Sequence, residues 1–215
     1  MALVFLVRHG LTDHTGTRLY GRSPGIHLSD RGREQAADLA ARFDGVRLAA
    51  IYASPLERCV ETAAPLAAAQ RLDVVTREDL VEMDAGRWTN RPLAGLARTK
   101  RWGVIQHTPS QASFPDGEAF AAANARLAEA LGAVAARHPK GRIAVVSHSD
   151  NIRMLLTHVA GAHLDQFQRM IVDTGSVSVV GVGEGPPRLY LANDTTGTLA
   201  RFGGGRGARR GVYGT

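Results

Sequence analysis

The feature that most limits the possible folds is a regular alternation of short apolar runs with longer stretches rich in alanine and arginine. Residues 3–7, 48–53 and 142–147 have the length and apolar character of strands buried in a sheet. A stretch with the apolar spacing of a helix comes after each of them. Strands that alternate with helices are typical of an α/β protein with a mostly parallel sheet, and we predict that class.

The other elements are predicted from caps, turns and apolar spacing. Ser29 is a predicted N-cap for a helix over residues 31–43, and Ser54-Pro55 is predicted to open the next helix. Further helices are predicted at 117–138 and 151–159, strands at 72–76, 177–182 and 188–192, and loops at 8–30 and 80–88. We expect one domain over residues 1–200 and a flexible, Gly- and Arg-rich tail over residues 201–215.

The positive charge of the chain is concentrated at its end. The formal net charge is +6, and four arginines with no acid beside them follow Ala200. The body of the protein is therefore close to neutral. Nucleic-acid binding needs a wide basic field with groups that read or stack on bases. Because aromatic residues make up only 6% of the chain, the sequence disfavours a nucleic-acid partner.

Apolar runs and cysteine content bear on the location of the protein. No apolar run approaches the roughly 20 residues that span a bilayer, and residues 2–7 are too short for the apolar core of a signal peptide. Cys59 is the single cysteine and cannot form an internal disulfide. We therefore expect a cytoplasmic protein with no membrane segment. The sequence leaves monomer and homodimer open.

Two predicted strands lead into similar short segments with a histidine at the centre. The first leads into Arg8-His9-Gly10 and the strand at 142–147 leads into Ser147-His148-Ser149. Ligands of open α/β sheets sit outside the carboxyl ends of the strands, so both histidines should face one crevice. A third strand end places Arg58 on the first turn of its helix. Two arginines and two histidines would then converge on a site that suits a dianion.

These residue types fit phosphoryl transfer. A guanidinium is permanently charged and binds phosphate oxygens in a fork, so Arg8 and Arg58 can hold a phosphoryl group. A neutral imidazole such as that of His9 is a competent nucleophile. The leaving alkoxide needs a proton, and Glu82, in a loop after a short strand, is the best candidate acid. No His-Glu-x-x-His or paired-Cys spacing occurs, so no metal site is predicted.

Ordered motifs extend these observations over almost the whole chain, from residue 3 to about residue 196. The motifs are Val7-Arg8-His9-Gly10-x-Thr12, Gly21-Arg22, Leu28-Ser29-x-x-Gly32-x-x-Gln35-Ala36, Ser54-Pro55-Leu56-x-Arg58-Cys59-x-x-Thr62-Ala63, Glu82-x-x-x-Gly86-x-Trp88, Pro115-x-Gly117-Glu118 and Val146-Ser147-His148-x-x-x-Ile152-Arg153. With these motifs the chain resembles the histidine phosphatase superfamily, also called phosphoglycerate mutase-like. It looks most similar to an actinobacterial branch described as phosphomutases or phosphatases.

The resemblance implies a three-layer α/β/α fold and phosphoryl transfer through a phosphorylated His9, with neither metal nor cofactor. It also implies that Arg8, Arg58 and His148 form the phosphate pocket. Glu82 would be the proton donor.

The resemblance also assigns substrate contacts. Thr15 stands where many members have an asparagine that contacts phosphate, and Gly21-Arg22 would face the distal part of the substrate. Ser149-Asp150 replaces a frequent Gly-Gly, which makes Ser149 a candidate contact. Asp150 brings a negative charge beside the pocket that disfavours highly anionic substrates.

Three functions are consistent with this reasoning. We favour a phosphomonoesterase that acts on a small metabolite. Phosphoglycerate mutases of the family carry a longer inserted segment after the proton donor, whereas only about thirty residues separate Glu82 from Pro115 here, and a less shielded phosphohistidine is open to water. A phosphomutase that returns the phosphoryl group to its substrate is the alternative. A non-catalytic protein that binds acidic partners through the basic tail is the third.

Overall fold

Residues 1–204, which the computed structural model describes, form a six-stranded sheet with helices on both faces. The strands are β1 (Ala2–Arg8), β2 (Arg18–Leu19), β3 (Ala50–Ala53), β4 (Val74–Thr76), β5 (Arg91–Pro92), β6 (Arg142–Ser147), β7 (Val177–Gly183) and β8 (Gly185–Asp194). The helices are α1 (Asp30–Arg42), α2 (Glu57–Gln70), α3 (Leu93–Leu96), α4 (Lys100–His107), α5 (Phe120–Arg137) and α6 (Ser149–Val159).

The sheet has the order β4-β3-β6-β1-β7-β8 and is mostly parallel. Strands β4, β3, β6 and β1 run in one direction, and β7 and β8 continue the sheet antiparallel. Strands β2 and β5 form a separate small antiparallel pair. The predicted α/β class with a mostly parallel sheet is confirmed.

Side-chain alternation along β1 builds two cores. Val4 and Leu6 belong to a buried cluster that includes α5 and α6, whereas Phe5 and Val7 belong to the cluster formed with α1 and α2. Successive residues of a strand point to opposite faces of a sheet, so a strand that is apolar throughout needs cover on both sides. This confirms the three-layer α/β/α arrangement.

Helix α1 forms as its sequence predicts. The Ser29 hydroxyl accepts a hydrogen bond from the Gly32 amide at 3.2 Å, which caps the first turn. Its apolar residues Ala36 and Leu39 are buried on the sheet side. At its end, Arg42 is 9% exposed and pairs with Asp194 at 2.6 Å, which ties α1 to the end of β8.

Several predicted boundaries differ from the structure by one to three residues, and three of the differences are informative. Helix α2 begins at Glu57, after an extended Leu56, so Pro55 precedes the helix and does not occupy its first position. Helix α5 begins at Phe120, three residues later than predicted, because Ala119 is extended and the Glu118 carbonyl accepts from the Phe114 amide instead of a helical amide. Strand β8 starts at Gly185 and includes two prolines, which an edge strand tolerates because one side of it needs no donors.

Helices α3 and α4 were not predicted at all. They are only four and eight residues long, shorter than the window over which apolar periodicity is reliable. Thr99 caps α4 by accepting from the Trp102 amide at 3.2 Å.

The end of the described chain folds back on the core. The ring of Phe202 lies 5.9 Å from that of Phe5, edge to face. Residues 205–215, most of the predicted flexible tail, lie outside the described residues. Within residues 1–204, no helix is long and apolar enough to cross a membrane, and the cytoplasmic location stays a prediction.

Candidate active site

Strand register brings the predicted site residues to one edge of the sheet. Arg8 at the end of β1 is paired with Ser147 at the end of β6. The His9 amide then donates to the Ser147 carbonyl at 3.0 Å, and the Ser54 amide, just after β3, donates to the Val146 carbonyl at 2.9 Å. The chain segments that carry His9, His148 and Arg58 therefore leave the sheet side by side.

His9 is held as a neutral imidazole with one free nitrogen. Its Nδ1 lies 2.8 Å from the Gly10 carbonyl, which can only accept, so Nδ1 carries the proton and Nε2 keeps its lone pair. Burial lowers the pKa of His9 to about 3, and the Arg58 and Arg8 guanidinium groups lower it as well. The Gly10 amide is fixed by the Thr62 hydroxyl at 2.9 Å. His9 is thus neutral near pH 7, with the lone pair of Nε2 available.

Arg8 and Arg58 each keep one buried donor without a partner. Nη1 of Arg8 donates to the Val172 carbonyl at 2.7 Å, and Nη2 of Arg58 donates to the Gly21 carbonyl at 3.0 Å. Nε of Arg8 and Nη1 of Arg58 are buried and have no hydrogen-bond partner within the described residues. A buried unpaired donor is costly, and the oxygens of a bound phosphoryl group would satisfy both.

His148 lies beside His9, with their ring centroids 5.4 Å apart. Nε2 of His148 is 2.8 Å from the Ser54 hydroxyl, and Nδ1 is 3.7 Å from Oε2 of Glu82. Burial, followed by the charge of Arg58, lowers the pKa of His148 well below its usual value. The Ser54 contact fixes the ring so that Nδ1 faces Glu82.

Glu82 is placed to hold a proton. Its Oε1 accepts from the Met83 amide at 2.9 Å. The pKa of Glu82 is raised to about 7, first by burial and then by the Asp150 carboxylate, against the opposing effect of Arg58. A carboxyl group with this pKa can give and take a proton near neutral pH.

A cavity of about 320 Å³ connects these groups. It is lined by His9, Arg8, Arg58 and Glu82, and by three of the predicted substrate contacts, Thr15, Gly21 and Ser149. His148 lies behind this wall, fully buried. Within residues 1–204, no group of three His, Cys, Asp or Glu side chains is arranged to hold a metal ion.

The family profile described as "Histidine phosphatase superfamily (branch 1)" matches residues 4–195. The chain belongs to this superfamily. Phosphoserine phosphatase 1 of Hydrogenobacter thermophilus is 30% identical over 189 residues, which cover 86% of this chain and 88% of that protein. The "Probable phosphoglycerate mutase GpmB" of Proteus mirabilis is 32% identical over 197 residues, which cover 90% of this chain and 89% of that protein.

The solved structure of Bacillus stearothermophilus YhfR has the same fold. It superposes with a TM-score of 0.84 at 24% identity and covers 90% of this chain and 98% of that chain. Our chain is therefore an enzyme of the histidine phosphatase superfamily with the phosphoglycerate mutase-like fold, and its relatives include a phosphatase and a protein named as a mutase.

Two of the predicted substrate contacts have other partners in the structure. The Thr15 hydroxyl accepts from the Thr12 amide at 3.0 Å, so it braces its own loop as well as lining the cavity. Arg22 is not brought into the cavity. Its Nε donates to the Glu82 carbonyl at 2.8 Å and its Nη2 to Oε2 of Glu118 at 3.0 Å. Arg22 therefore holds the backbone of the candidate acid from outside.

Asp150 lines the cavity, as the sequence analysis expected. Three other lining residues had no assigned role, namely Arg153 on α6, Tyr20 in the loop after β2 and Trp102 on α4. Arg153 could have been found from its spacing, because it comes three residues after Asp150 and residues three apart share one face of a helix. The other two could not, since their place depends on how loops pack.

Proposed function

We propose that the chain is a metal-independent phosphomonoesterase that hydrolyses a small phosphorylated metabolite through a phosphohistidine on Nε2 of His9. The observation that carries this proposal is the tautomer of His9, which leaves Nε2 unprotonated beside unpaired donors of Arg8 and Arg58. These fixed positive charges stabilise the charge that spreads over the phosphoryl oxygens in the transition state.

The first step transfers the phosphoryl group to the protein. Nε2 of His9 attacks phosphorus, the bond to the ester oxygen breaks, and Glu82 gives its proton to the departing alkoxide. In the second step Glu82, now a carboxylate, takes a proton from water as the water oxygen attacks phosphorus. The bond from phosphorus to Nε2 breaks, inorganic phosphate leaves, and both residues return to their starting states.

Hydrolysis is supported by the size of the cavity. Its volume of about 320 Å³ is many times the roughly 10–15 Å³ that a cavity needs to hold one water, so water has room beside a phosphohistidine. The segment between Glu82 and Pro115 contains only short elements, the longest of which is the eight-residue helix α4. A mutase reaction is the second candidate, and the identity to the Proteus mirabilis protein favours it.

The test is phosphate release from p-nitrophenyl phosphate and a panel of metabolite phosphomonoesters. We expect His9→Ala to abolish release, and His158→Ala, which removes an exposed histidine, to leave it unchanged. A brief reaction quenched in base should leave a phosphorylated peptide containing His9. Activity that survives in His9→Ala would overturn the proposal. Phosphoryl exchange that needs a bisphosphorylated primer, with slow phosphate release, would establish the mutase.

The role of Glu82 has its own signature. Glu82→Gln removes the proton that an alkoxide needs, whereas p-nitrophenolate leaves readily without one. Hydrolysis of the phosphohistidine is common to all esters, so the comparison uses kcat/KM, which reports only the steps up to the departure of the alcohol. We expect kcat/KM for alkyl phosphates to fall by about 10²–10⁴-fold and that for p-nitrophenyl phosphate to fall much less. An equal loss of kcat/KM for both esters would exclude Glu82 as the proton donor.

A further inference from the structure

The cavity holds a second pair of charges that the proposed reaction does not use. Asp150 and Arg153 occur three residues apart on α6 and both line the cavity that contains His9 and Arg58. Residues at this spacing share one face of a helix. The phosphoryl group already has its own cations, so this pair is available to the rest of the substrate.

Arg153 has an unsatisfied donor at this wall. Its Nη1 donates to Oε1 of Gln168 at 3.1 Å, and more weakly to Oδ1 of Asp150 at 3.4 Å. Its Nε is buried and has no partner within the described residues, and the same is true of the Tyr20 hydroxyl in the same cavity. Arg8 lines the same cavity as Arg153, and the charge of Arg153 adds to burial in lowering the pKa of Arg8. An anionic group next to the phosphoryl group would satisfy the Arg153 donor.

Asp150 supplies the opposite charge. Its side chain is 30% exposed, and the long contact with Arg153 leaves acceptor capacity on both of its oxygens. Its charge reaches Glu82, whose pKa it raises. A carboxylate in this position repels a substrate that carries only negative groups and attracts one that carries an ammonium group.

We propose that Asp150 and Arg153 select phosphomonoesters whose alcohol carries both an ammonium and a carboxylate, that is, O-phosphorylated hydroxy amino acids. The ammonium binds Asp150 and the carboxylate binds Arg153. The charged heads of the two residues lie 3.4 Å apart at their closest, and an ammonium and a carboxylate on one carbon atom are similarly close. This inference rests on the proposed phosphomonoesterase function and adds the class of its substrate.

Four esters with matched carbon skeletons test the selection in the wild-type protein. O-Phosphoserine carries both groups, O-phosphoethanolamine only the ammonium, 3-phosphooxypropionate only the carboxylate, and ethyl phosphate neither. We expect each charged group to raise kcat/KM by at least about tenfold, so that O-phosphoserine exceeds ethyl phosphate by at least about 100-fold. Equal kcat/KM for the four esters, with hydrolysis still dependent on His9, would overturn the selection and leave the proposed function standing.

Variants assign each group to its residue. In Asp150→Asn the kcat/KM for O-phosphoserine should fall to about that for 3-phosphooxypropionate. In Arg153→Gln the kcat/KM for O-phosphoserine should fall to about that for O-phosphoethanolamine. Arg169→Gln, an exposed arginine outside the cavity, should leave both ratios of kcat/KM unchanged.

Two further results would contradict the inference. If Arg153→Gln lowers kcat/KM by the same factor for all four esters, Arg153 binds the phosphoryl group and the assignment is wrong. If no ester, including p-nitrophenyl phosphate, shows hydrolysis that depends on His9, the proposed function fails and the selection fails with it.

Discussion

Replacing Glu82 by glutamine should stabilise the protein at pH 8 and have little pH-dependent effect below pH 4.5. The pKa of this carboxyl group is raised from its ordinary value of 4.5 to about 7, first by burial and then by Asp150. The folded protein therefore binds the proton more tightly than the unfolded chain does. The stabilisation that the protonated Glu82 gives the folded protein, relative to its ionised form, is complete below pH 4.5 and is lost as the pH rises through 7.

The magnitude follows from that difference in proton affinity. About 1.4 kcal/mol corresponds to each tenfold change in a binding constant, so the rise from 4.5 to about 7 amounts to about 3 kcal/mol. The side chain of Glu82 is only 20% exposed, so solvent screens little of this cost. A neutral amide cannot ionise, and Glu82→Gln should recover about 3 kcal/mol at pH 8.

Urea unfolding at pH 4.5, 6, 7 and 8 measures the effect as the difference in free energy of unfolding between variant and wild type. Other titrating groups are common to both proteins and cancel in the difference. Glu78→Gln removes an exposed carboxylate four residues away and controls for the loss of a charge. A difference that stays constant from pH 4.5 to pH 8, or that becomes less favourable to the variant, would refute the reasoning.

Three further predictions concern the support of the site. Gly86→Ala should lose at least about 3 kcal/mol of stability in urea unfolding, because the φ angle of Gly86 is +51° and a Cβ there would lie 2.1 Å from the Pro115 carbonyl oxygen. Gly132→Ala is the control and should cause no such loss, since no atom lies within 4 Å of the position of its Cβ. Thr62→Val should lower stability by about 1–3 kcal/mol, since it leaves the amide beside the candidate nucleophile unpaired; an unchanged unfolding midpoint would contradict this. Burial raises the pKa of the Cys59 thiol to about 12, so Cys59 should react with iodoacetamide at pH 8 only after unfolding. Rapid labelling of the native protein would contradict the burial of this side chain.

The centre of the site was predictable because the sheet determines it. Parallel strands end at one edge, and a residue directly after a strand has little freedom of position. Arg8 is the last residue of β1, and His9 and His148 directly follow β1 and β6, so recognising the two strands is enough to place them together. Their chemical types then restrict the ligand to an anion, which is why so short a pattern was informative.

The walls of the cavity were less predictable because they are built from loops. Arg22 follows a glycine with φ of +52°, and its direction is decided by an ion pair with Glu118, 96 positions later in the chain. Helices α3 and α4 are too short to give a periodic signal, although Trp102 forms part of the cavity wall. Such contacts depend on the assembled fold and leave no pattern within a local window of sequence.

The electrostatics of the site set the protonation states of both His9 and Glu82. In the first step of the proposed reaction His9 is neutral and Glu82 is protonated, whereas near pH 5.5 in water most of the His9 imidazole would be charged and most of the Glu82 carboxyl group ionised. Burial favours the neutral form of both side chains. The charges of Arg58 and Arg8 also disfavour a proton on His9, and the charge of Asp150 favours one on Glu82. A phosphoryl dianion placed between them would compensate the arginines and further disfavour ionised Glu82. The substrate therefore strengthens the protonation of the acid that its own leaving group requires.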